Sequence, residues 1–67
     1  MVAEFTEIQK TTLKGKAPSL AVKHKCSQRY IRLIIKGERE INTPLAEAIF
    51  KDLQILLDFF TPKTQED

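Results

Sequence analysis

From Cys26 to Gly37 the chain reads CSQRYIRLIIKG, with Arg29, Arg32 and Lys36 three and four residues apart and no carboxylate among them. That spacing stacks side chains along one face of a helix. Two guanidinium groups and an ammonium held together in this way repel one another unless an anion lies opposite. A guanidinium fork matches a phosphate, or the edge of a guanine, with two parallel hydrogen bonds. The chemistry on offer is recognition of an anion or a base rather than the making of bonds. Nowhere in the chain does a nucleophile stand with a base, nor do carboxylates cluster, so no enzymatic activity is expected.

A helix advances about 100° per residue, which assigns the faces of this stretch. With Ile31 set at zero, Ile35 lies about 40° to one side and Ile34 about 60° to the other, forming an apolar face. Arg32, Lys36, Arg29 and Leu33 then fall at about 100°, 140°, 160° and 200°, on the opposite face. Gln28 lies in the first turn and Tyr30 on a flank. Ser27 suits the N-cap and Gly37 the left-handed residue that stops a helix, giving a helix over 28–36.

The elements that must hold this helix are legible around it. Phe5, Ile8 and Leu13 mark a short first helix ending before Gly15, weakened by Thr11 and Thr12. Pro18 fits the first turn of a second helix over 17–24, with Leu20, Ala21 and His24 facing inward. Thr43 followed by Pro44 predicts the start of a fourth helix that runs toward Pro62. Its inner face is Ala46, Ile49, Leu53, Leu56 and Phe60, and its polar stripe is Glu47, Lys51, Gln54 and Asp58. The expected fold is all-α, a small bundle of about four helices, with a domain over 1–61 and a polar, frayed tail over 62–67.

Size and charge narrow the function. Sixty-seven residues make one domain, too short for a deep pocket lined by its own core, and a hydrophobic fraction of 42% suffices for a small core. The net charge of +2 conceals segregation: residues 10–39 hold nine cations against Glu38, whereas both flanking segments are acidic. A cationic centre between acidic ends suits a phosphate-binding surface, although a solvated basic face is the plainer account. Cys26 is the single cysteine and His24 the single histidine, too few for a disulfide or a complete zinc site, so no metal or other cofactor is expected. The single cysteine leads to the expectation of the reducing cytoplasm, and the lack of a long apolar run or signal-like N-terminus to that of a soluble, intracellular chain away from membranes.

Two helices joined by Lys25, Cys26 and Ser27, the second cationic outside, make a helix-turn-helix with its second helix in the DNA major groove. The stretch LAVKHKCSQRYIRLIIKGERE, residues 20–40, resembles the helix-turn-helix repressors of the lambda-repressor and Cro type, also called xenobiotic-response-element-type regulators. Ala21, Cys26, Ser27, Ile31, Ile34, Ile35 and Gly37 fall in register with that motif, which covers about a third of the chain. Two positions depart from it. Lys25 stands where the family usually has a turn glycine, and Ala17 where a polar residue often touches a phosphate, a contact that Lys16 beside it can replace.

The resemblance implies sequence-specific binding of double-stranded DNA by a phage-type or mobile-element transcriptional regulator. Carried over by position, it puts Gln28, Arg29, Arg32 and Leu33 at base edges and Lys36 near the backbone. The residue chemistry agrees: arginine suits guanine, glutamine adenine, and leucine a thymine methyl. Lys14, Lys16, Lys23 and Arg39 are assigned to phosphates, and Tyr30 either to a phosphate or to packing on the second helix.

His24 is read as a partly buried structural residue and Cys26 as a small apolar filler. Phe50, Phe59 and Phe60 are read as core. Apolar residues at 45, 48, 50, 55, 57 and 59 make the fourth helix wider in its apolar face than a short bundle covers, so a homodimer through that helix is expected, Phe59 contributing. No small-molecule ligand is expected. The competing reading is a protein-interaction module, such as an antitoxin or adaptor, that reuses the same fold.

Overall fold

The structure is a computed structural model that describes residues 1–60, with side chains to Phe59. Four helices follow in order: α1 Glu7–Lys14, α2 Ala17–His24, α3 Gln28–Lys36 and α4 Pro44–Phe60. There is no strand among the described residues, so the domain is an all-α bundle of four helices. None of these helices is long and apolar enough to cross a membrane. The expectations about the tail at 62–67 and about the Phe60 side chain lie outside the described part.

Three of the four helices begin where a side chain takes up a free N–H. Thr6 caps α1 through a capping box: its hydroxyl accepts from Gln9 N at 3.2 Å, and Gln9 Oε1 accepts from Thr6 N at 2.9 Å. Ser27 Oγ accepts from Tyr30 N at 3.1 Å, and Thr43 Oγ1 from Ala46 N at 3.1 Å. Only α2 begins without such a cap, at Lys16, where Pro18 in the first turn removes one of the donors needing a partner.

Leu13, Ala17, Ile31, Ile34, Ile35, Ala46, Ile49 and Leu53 are fully shielded from solvent, and no polar side chain is buried among them. Full burial of each isoleucine contributes about 1.5–3 kcal/mol. The three isoleucines of α3 place that helix at the centre, packed on α1, α2 and α4.

The first helix departs from expectation in two ways. Phe5 lies before α1, where it packs against Phe50 with ring centroids 6.0 Å apart. Ile8 is 80% exposed, because α1 turns Leu13 and not Ile8 into the core. Thr11 returns its hydroxyl to the Glu7 carbonyl at 3.1 Å, a bond that slightly destabilises a helix.

Both α2 and α3 end on a left-handed residue, with the following N–H groups turned back onto the helix in the Schellman pattern. At the end of α2, Lys25 has φ 55°, and Cys26 N donates to Ala21 O at 2.9 Å. At the end of α3, Gly37 has φ 79°, and Glu38 N donates to Leu33 O at 2.9 Å. A left-handed conformation costs a residue with a Cβ about 1–2 kcal/mol, a cost Lys25 bears and Gly37 avoids.

Gly37 is constrained a second time. The N-terminal segment crosses here, with Ala3 buried and Met1 O accepting from Ile41 N at 2.7 Å. A Cβ on Gly37 would meet the Ala3 carbonyl oxygen at 2.6 Å. Gly37→Ala is therefore expected to cost about 2–3 kcal/mol, combining backbone strain with displacement of that segment. Urea melts of the two proteins measure the difference, and a loss below about 0.5 kcal/mol would show that neither constraint operates.

Candidate nucleic-acid interface

The buried face of α3 determines what its other face presents. With Ile31, Ile34 and Ile35 inward, Gln28, Arg29, Arg32 and Lys36 are all exposed. Leu33, expected to be fully exposed, is partly shielded. No carboxylate among the described residues pairs with Arg29, Arg32 or Lys36. Within the face, Arg32 Nη2 donates to Gln28 Oε1 at 3.2 Å. That bond joins two of the expected base-reading side chains, uses one guanidinium donor of five, and leaves the Gln28 amide NH2 as a donor.

The residues assigned to phosphates divide into three groups. Lys14 is exposed in the last turn of α1, and Lys16 is partly shielded at the start of α2. Beyond α3, the Arg39 guanidinium lies 5.0 Å from the centre of the Tyr30 ring, a cation–π contact. Tyr30 is partly buried against the core, in keeping with the packing role. Lys23, by contrast, points to α4, its Nζ 2.9 Å from Asp52 Oδ2.

Asp52 was not legible as a site residue. The same Oδ2 lies 2.7 Å from His24 Nε2, so one carboxylate oxygen of α4 holds both residues of the last turn of α2. His24 is thus a structural residue with only 12% of its side chain exposed. An ionised carboxylate only accepts, so Nε2 carries the proton that it donates. The one available signal was position: Asp52 sits between Ile49, Leu53 and Ile55, nearer the inward arc of α4 than its polar stripe.

The hydrogen bond from Lys23 holds the Asp52 carboxyl below the usual carboxylate range; partial burial opposes this, and the hydrogen bond from His24 reinforces it. Burial alone pushes the Cys26 thiol above its ordinary value, which leaves it a poor nucleophile at neutral pH. Among the described residues no group of three or more histidine, cysteine or acidic side chains is placed to hold a metal ion.

Along the side of α4 next to α2, Leu45, Ile55 and Phe59 are exposed, Ile55 at 59% and Phe59 at 80%. Phe59 is therefore not a core residue of the single chain, whereas Phe50 and Leu57 pack on the core from the α1 side. A groove between α2 and α4 is lined by Leu20, Ile55 and Leu56 with Lys16 and Lys23 beside them.

No protein-family description, curated protein or solved structure matches this chain.

The depressed ionisation of Asp52 fixes a pH dependence. Its stabilising contribution is complete above its unfolded value, about 3.9, and disappears as pH falls through the lower folded value. Asp52→Asn should cost about 1 kcal/mol at neutral pH, since the exposed Lys23 arm contributes little and the His24 bond most of the loss. The difference should close as pH falls through the lowered folded value. Denaturant melts at neutral pH and in acid test this, and an undiminished difference in acid would rule out the ion pairs as its cause.

Proposed function

We propose that the chain is a sequence-specific binder of double-stranded DNA, a transcriptional regulator that presents α3 to the major groove. The observation that carries this reading is the outer face of α3, where Arg29, Arg32 and Lys36 are exposed with no described carboxylate to neutralise them. In this reading α2 and α3 form a helix-turn-helix, the arrangement in which the second helix enters the groove with its first turn leading. Gln28 and Arg29 then lead, Arg32 follows one turn behind, and Leu33 lies between them and the helix end. Lys36, Arg39, Lys14 and Lys16 hold the backbone and set register. Lys23 is the weakest of the phosphate candidates, because Asp52 already holds it.

The decisive experiment measures binding to random and to selected duplexes at two salt concentrations. The wild type should weaken steeply with salt, by about 0.9 in log–log slope for each phosphate neutralised. Arg29→Ala and Arg32→Ala should each cost about 1–3 kcal/mol on the selected sequence, and Lys36→Ala should lower the slope on every sequence. Absent or salt-insensitive binding by the folded protein would reject DNA as the partner and leave the protein-interaction module in its place.

The exposed side of α4 suits a second copy of the chain, with Ile55 and Phe59 at the contact and the two reading helices on one face of the duplex. Selected sites should then be palindromic, with half-sites about 10 base pairs apart. Sedimentation of the wild type and of Ile55→Lys tests the pairing. The wild type should dimerise with rising concentration and the variant stay monomeric; a wild type monomeric at high concentration, with and without DNA, removes it.

A further inference from the structure

Lys25 is the only residue other than glycine with positive φ among the described residues. It stands in the turn between α2 and α3, with φ 55° and ψ 48°, where glycine is free of the strain a Cβ brings. Its side chain is exposed, and no described carboxylate pairs with it. Its charge also precedes the N-terminus of α3, where the backbone already carries partial positive charge, and lies four residues before Arg29. Backbone strain and an unfavourable helix end both count against lysine here. The opposing term within the chain is the C-terminus of α2, whose partial negative charge favours a cation.

A residue held in a strained backbone conformation motivates a hypothesis of function. We infer that Lys25 is an anion contact, its ammonium binding a backbone phosphate beside the entry point of α3. This inference rests on the DNA reading above and adds to it a residue that the motif assigns to no contact. A phosphate there pairs with the Lys25 ammonium and lies at the N-terminal end of α3, which favours an anion. The left-handed backbone has a direct use in this account. It turns the chain sharply enough to bring a cation of the turn to the leading end of the reading helix.

The account has a signature that a purely structural lysine lacks: stability and binding change in opposite directions. Lys25→Gly should raise Tm by about 5 °C through relief of strain. The same variant should bind a duplex of about 20 base pairs threefold to tenfold more weakly near 0.15 M salt, with a log–log slope smaller by about 0.9. Lys25→Asn, which tolerates the left-handed conformation without charge, should lose the same affinity, and Lys25→Arg should retain it.

Three results overturn the assignment. A fall in Tm for Lys25→Gly would make the cation a partner of α2 alone. Unchanged affinity and slope for Lys25→Gly, beside a weakened Arg29→Ala, would remove Lys25 and leave the DNA reading intact. Absence of salt-dependent binding by the folded wild type would remove both.

Discussion

Three fully buried isoleucines fix the rotation of α3 about its own axis, and the rest of the molecule is arranged around that constraint. Ile31, Ile34 and Ile35 contact each of the other helices' packing surfaces in the centre of the bundle, and rotating α3 by a single residue would expose two of them. At about 1.5–3 kcal/mol for each, such a rotation would consume most of the stability available to a domain of this size. The orientation of Arg29, Arg32 and Lys36 is thus set by hydrophobic burial rather than by any contact of their own. The backbone of α3 is held by its core face, and its exposed cations lie on a scaffold that needs no rearrangement to keep them there.

The termini of α3 are held as firmly as its face. Ser27 begins it, Gly37 ends it, and the N-terminal segment lies across the end so closely that a methyl group at 37 has no room. Four residues upstream of Arg29 the chain turns on Lys25, which accepts the same left-handed geometry at a cost. The two ends of one helix therefore solve one backbone problem with different residues. At Gly37 space forbids a side chain; at Lys25 the side chain is open to solvent, so space does not oppose it although the backbone does.

Charge is distributed by the same packing. Asp52 draws Lys23 and His24 to α4, and Lys10 lies near Glu7, which takes cations out of the basic surface without loss of net charge. Arg29, Arg32 and Lys36 on α3, and Lys25 in the turn before it, pair with no described carboxylate. On α4, which packs on α1, α2 and α3, Leu45, Ile55 and Phe59 stay exposed among the described residues.

Local sequence determined the helices 17–24 and 28–36 to the residue, the start of the fourth, and the division of α3 into a buried and a cationic face. Those features follow from proline, caps, a left-handed stop and a 3.6-residue period, all of which act within a few positions. Tertiary structure alone decided that Phe5 leaves α1 to meet Phe50 and that Ile8 stays in solvent. It also decided that Asp52 holds Lys23 and His24 across 28 residues of chain, and that Phe59 lies outside the core. A short amphipathic segment specifies which of its faces is apolar, but not which neighbour covers that face or how much of it is covered. Those depend on helices packed from distant parts of the chain, and no local period encodes them.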